Sequence, residues 1–152
     1  MTKHLRPAIL SVLVALLVLL SVGALGGGLV LIAGPDGSIL GVPSELLAST
    51  PFSSYLGPGL LLFSVLGVYP LVVAYALWAR PSWRWPNHLN PFRRAHWAWA
   101  AALSVGVALI VWIGTQMLLL GWYHWLQYLY LLWGIILLGL PLLPSFRAYY
   151  AR

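Results

Sequence analysis

Residues 8–33 read AILSVLVALLVLLSVGALGGGLVLIA, 26 residues without a charge. About 20 apolar residues in a helix are enough to cross the hydrocarbon core of a bilayer. Three more uncharged runs of similar length follow: Gly59 to Ala79, Trp97 to Leu120, and about Trp125 to Leu143. A soluble core can hide one such helix, but four in a chain of 152 residues exceed what it can bury. Composition agrees. Apolar residues make up 62% and charged residues 7%, with a mean hydropathy of +0.93. Soluble domains average about 25% charged residues. These figures exclude an ordinary soluble enzyme, a disordered chain and a nucleic-acid-binding arm. The expected fold is all-α: a four-helix transmembrane bundle forming one integral membrane domain over residues 1–152.

All the basic residues lie on one side of that bundle. Lys3 and Arg6 precede the first span, and Arg80, Arg84, Arg93 and Arg94 lie between the second and third. Arg147 and Arg152 follow the fourth. Basic residues near span ends stay cytoplasmic, so the reading is N-in and C-in. Asp36 and Glu45, the two acidic residues, then fall outside. The pattern fits a bacterial plasma membrane. The four loop arginines are expected to meet anionic lipid headgroups, with no nucleic-acid role. The first span also has a basic start and a small-residue stretch, Val22-Gly23-Ala24, as a cleavable signal would. Its apolar run continues to Ala33, which favours an uncleaved anchor.

Trp and Tyr favour the headgroup level. Trp78, Trp83, Trp85, Trp97 and Trp99 are expected to form an inner belt, with Tyr149 and Tyr150. Trp122, Tyr123 and Trp125 mark the outer turn. Gly23 and Gly27 make a G-x-x-x-G pair, and Ala102 and Gly106 repeat the small-residue spacing. Residues four apart share a helix face, and small ones let backbones approach. The partner is a neighbouring span or a second copy, with three other spans at hand. Gly26 to Gly28 predict a bend. Pro70 predicts a kink, having no N–H to donate.

The outer segment from Gly34 to Pro58 carries the most distinctive residues. Pro35-Asp36-Gly37 signals a turn. Ser44 to Ser49 has the length of one helical turn. Thr50-Pro51 reads as a helix cap with Pro at the first position, and Pro58 as the start of the second span. The segment is expected to be ordered and to cap the outer mouth. The motifs Gly34-Pro35-Asp36-Gly37-Ser38, Leu40-Gly41-Val42-Pro43, Thr50-Pro51-Phe52 and Gly57-Pro58-Gly59 sit between two apolar spans. Over about residues 29–78 they resemble a family of small four-span bacterial integral membrane proteins of unassigned activity. The resemblance implies the four-span architecture and brings no catalytic residues.

Polar residues at outer depth give one candidate ligand site: Gln116 at the end of the third span, and His124, Gln127 and Tyr128 opening the fourth. Spacing places 124, 127 and 128 on one helix face, with Asp36 and Glu45 in the loop above. The plainer roles are a turn for Asp36, a solvated or capping carboxylate for Glu45, and an interhelical hydrogen bond for Gln116. No cysteine is present, and the histidines have no metal spacing, so neither a metal nor a cofactor is expected. His96 and His124 lie at opposite faces and cannot bracket one haem. No nucleotide-loop or nucleophile motif occurs, and no ionisable group lies deep in a span. The residues favour a structural or accessory protein working beside a protein partner, in a homo-oligomer or with lipid. The alternatives are a binding or transport role for a lipophilic or neutral molecule at an outer vestibule and, last, a membrane-embedded enzyme using His124 with Asp36 or Glu45.

Overall fold

The computed structural model describes residues 8–39, 41, 44–79, 96–120 and 125–150. No strand occurs among them. Four helices are long and apolar enough to cross a membrane. They are α1 (Ala8–Ala33), α2 (Leu56–Ala79), α3 (Trp97–Leu120) and α4 (Trp125–Gly139), which continues as a 3-10 turn over Leu140–Leu142. A short fifth helix, α5, covers Pro144–Tyr150. The chain is therefore a multi-pass membrane protein built from helices, which satisfy their own backbone groups in lipid. Arg80, Arg84, Arg93, Arg94 and His124 lie outside the described residues.

Two hairpins make the bundle. α1 packs along α2, and α3 along α4; α2 against α3 joins the pairs, while α1 and α4 touch only slightly. The buried face of α1 is Leu10, Leu13, Leu17, Leu20 and Ala24, spaced three and four apart. Close approaches between helices occur at glycines. A Cβ on Gly28 would sit 2.8 Å from Phe63 Cβ and 2.9 Å from the Gly59 carbonyl oxygen. In the second hairpin, a Cβ on Gly106 would sit 2.8 Å from the Leu138 backbone nitrogen. Gly23 and Gly27, which the spacing singles out, leave more room, with nearest atoms at 3.8 Å and 3.4 Å. The tight crossing of α1 thus falls one residue beyond the G-x-x-x-G pair, at Gly28. Ala102 is fully buried, as the small-residue spacing with Gly106 expects. Gly26 to Gly28 do not interrupt α1, which is helical throughout.

Pro70 is accommodated by a wider helical turn. The seven residues before Tyr69, Leu62–Val68, form a π-helical stretch, and the Tyr69 N–H donates to the Ser64 carbonyl five residues back. A proline has no N–H and its ring collides with the carbonyl four residues earlier, so a wider turn relieves the clash. Where the wide repeat meets the α-helix, Ser21 of α1 donates its hydroxyl to the Gly67 carbonyl. Ser21 is fully buried. Hydroxyls on neighbouring helices commonly satisfy the backbone groups of an interrupted span. Ser21→Ala is expected to lower stability by about 0.6 kcal/mol, the mean for interhelical bonds in a bilayer, with about 1.7 as the ceiling. Denaturant unfolding in detergent reads this. Exposed Ser11→Ala should show no change.

The end of the bundle opposite the 34–55 connection is closed by α5. Leu143 is extended (φ −62°, ψ 138°), as a residue before proline prefers, and Pro144 opens the new helix. Phe146 and Tyr150 are fully buried. The Tyr150 hydroxyl donates to the Leu77 carbonyl, one of the four at the end of α2 that have no helical partner. The His96 N–H donates to the Tyr150 carbonyl (2.8 Å), and Trp99 Nε1 to the Pro141 carbonyl (2.7 Å). Trp97 and Trp99 are 7% and 6% exposed and Tyr150 is buried, so these three form part of the core rather than an interfacial belt. Trp78 and Trp125 keep the exposed placement of belt residues.

Candidate functional site

The connection between α1 and α2 is built by short-range hydrogen bonds. The Asp36 carboxylate accepts from the Ser38 N–H (3.0 Å), and Gly37 takes φ +80°, which glycine adopts without strain. Hydrogen bonds from Ser38, its hydroxyl first and its N–H second, hold the Asp36 carboxyl below the ordinary carboxylate range. Asp36 is exposed and serves the turn. A 3-10 helix covers Ser44–Ser49. Thr50 closes that helix instead of opening another: its hydroxyl donates to the Leu47 carbonyl (2.8 Å) and accepts from the Phe52 N–H (3.3 Å). No helix follows Pro51. The second span starts at Leu56, two residues before Pro58, with the Ser54 hydroxyl accepting from the Leu56 N–H (3.3 Å). Pro58 is still within the first turn, where its missing N–H costs no helical bond. The Tyr55 N–H donates to the Pro35 carbonyl (2.7 Å), tying the end of the connection to its beginning.

Beneath this connection lies a cavity of about 500 Å³. Leu31 of α1 and Leu47, Thr50, Phe52 and Tyr55 of the connection cover its top. Pro58, Leu61, Leu62, Val65 and Leu66 of α2 form one wall; Ala108, Val111, Trp112, Thr115 and Gln116 of α3 form the other. Eight residues separate Ala108 from Gln116 and Pro58 from Leu66, so each wall runs about 12 Å along its helix. Leu61 (42%), Val65 (39%) and Val111 (59%) are exposed, and they mark a rim on the outer surface of the bundle. The lining is apolar apart from Thr50, Thr115, Gln116, the Tyr55 phenol and the Trp112 indole N–H, and among the described residues no charged side chain contributes to it. Its volume falls within the ~300–1,000 Å³ of pockets that hold small organic ligands.

Of the described polar residues near the outer ends of the spans, Gln116 and its neighbour Thr115 line this cavity. Asp36 and Glu45 are exposed above it and do not line it. Gln127 is 6% exposed and Tyr128 53%, so these neighbours face opposite environments on α4. One residue is a 100° step around a helix, which separates them. The other lining residues are aliphatic or aromatic, and in a wholly apolar span nothing sets such positions apart from those that face lipid. On α4 the Trp133 ring stacks on Tyr130 (centroids 6.0 Å apart, planes at 18°). Its buried indole N–H has no acceptor among the described residues. No cluster of three His, Asp or Glu side chains occurs among the described residues. Comparison of the chain with family models, curated proteins and solved structures finds no match.

Proposed function

We propose that this is a non-catalytic bacterial plasma-membrane protein that binds a lipophilic molecule in the cleft between α2 and α3. The observation carrying this reading is the 500 Å³ cavity, apolar in its walls and rimmed by residues on the bilayer-facing surface. A molecule dissolved in the bilayer reaches such a rim without leaving lipid. The basic residues support an N-in, C-in orientation, which puts the cleft in the outer leaflet beneath the 34–55 connection. Ser38→Cys is then expected to react with a membrane-impermeant thiol reagent in intact cells, and Ser82→Cys only after permeabilisation. Outside labelling at position 82 would reverse the orientation.

Native mass spectrometry of the protein from its own membrane, in mild detergent, tests the binding reading. A small molecule retained at one per chain, and lost in Val65→Trp, is the expected result. No retained molecule, with a stoichiometric protein partner instead, would favour an accessory role.

A further inference from the structure

We propose that the cleft takes a single-chain lipid with an uncharged, hydrogen-bonding head, a hydroxyl or an amide. This rests on the cleft being a lipophile site. Its polarity is graded along the α3 wall. Ala108 and Val111 lie deeper, and Thr115 and Gln116 stand at the connection end. A chain lying against Val65, Leu66 and Ala108 therefore presents its head to Thr115 and Gln116.

The hydrogen bonds already made there select the head group. The Thr50 hydroxyl is occupied on both sides, donating to Leu47 and accepting from Phe52. The Thr115 hydroxyl donates its proton to the Val111 carbonyl (2.7 Å), which leaves its oxygen able only to accept. The Gln116 amide makes no hydrogen bond with any described residue and offers both a donor and an acceptor. A hydroxyl head can donate to Thr115 and accept from the Gln116 amide N–H, and a primary amide head, with two N–H donors and a carbonyl, can in addition donate to the Gln116 carbonyl. A charged head finds no counter-ion in the lining, and a desolvated unpaired charge is strongly disfavoured. One wall length of about 12 Å is less than half of a ~30 Å hydrocarbon core, which suits one chain within one leaflet.

The test uses the full-length protein in nanodiscs with three photoactivatable probes of equal chain length: a long-chain alcohol, its alkyl sulfate and its quaternary ammonium analogue. The alcohol is expected to label residues 56–66 and 108–116 and to outcompete both charged probes. Gln116→Leu should weaken alcohol labelling by roughly tenfold, the upper range for losing one hydrogen bond. Val65→Trp and Ala108→Trp, which fill the cleft from opposite walls, should abolish it, and either folded variant suffices. If the fillers abolish labelling but a charged probe labels as strongly as the alcohol, or Gln116→Leu changes nothing, the head-group assignment fails while the cleft reading stands. Alcohol labelling that survives a folded filler overturns both.

Discussion

Gly106→Leu should separate α3 from α4 and leave the protein largely unfolded in mild detergent. The added Cβ alone lands 2.8 Å from the Leu138 nitrogen and 3.0 Å from its Cα, both backbone atoms. A flexible side chain can turn away, but a helix backbone moves only as a body. Overpacking costs about 1–3 kcal/mol where neighbours can adjust, and more where they cannot. The crossing is narrow on both sides: a Cβ on Gly134 would stand 2.8 Å from Ile110 Cγ1 and 3.5 Å from the Gly106 carbonyl oxygen. Gly28→Leu should act similarly on the first hairpin, where Phe63 and the Gly59 carbonyl block the space. Gly26→Ala supplies the contrast. Nothing lies within 4 Å of its Cβ, and replacing glycine in a helix gains up to about 1 kcal/mol. Far-UV circular dichroism during denaturant titration checks all three. Equal stability of Gly106→Leu and wild type would show that these helices do not cross where we place them.

A second large effect is expected at the opposite end. Phe146→Ala removes a fully buried ring, a change that costs about 3–5 kcal/mol in protein cores. The loss should be cooperative. Phe146 packs against Tyr150 (ring centroids 5.0 Å apart), and Tyr150 bridges the end of α2 to the start of α3. With α5 detached, Trp97 and Trp99 become accessible, so tryptophan emission should shift to the red and quenching by a soluble agent should rise. Tyr150→Phe isolates the hydrogen bond. It keeps the ring and leaves the Leu77 carbonyl without this donor, for a loss nearer 0.6 kcal/mol. If Phe146→Ala and Tyr150→Phe cost the same, burial of the ring does not hold α5 in place.

These effects also divide what residue type reveals from what assembly adds. The four spans are legible because bilayer thickness sets a length that uncharged runs meet or miss. Local chemistry is legible at Asp36-Gly37-Ser38, which forms its turn. Thr50 misleads, because a threonine oxygen that can open a helix can also close the one before it, and the sequence beside it is the same in both cases.

Sequence alone thus determined that this protein has four membrane helices, and its charge placement set the expected orientation. Tertiary structure alone decided which glycines meet, that Trp97, Trp99 and Tyr150 are core, and that Gln116 lines a cleft while Tyr128 does not. The physical reason is the solvent. In water, burial is written as an apolar face on a polar helix. In lipid both faces are apolar, and helices choose partners by shape and by a few hydrogen bonds. Shape arises between helices, from residues far apart in the chain such as Gly28 and Gly59 or Ser21 and Gly67, and no single stretch of sequence contains it.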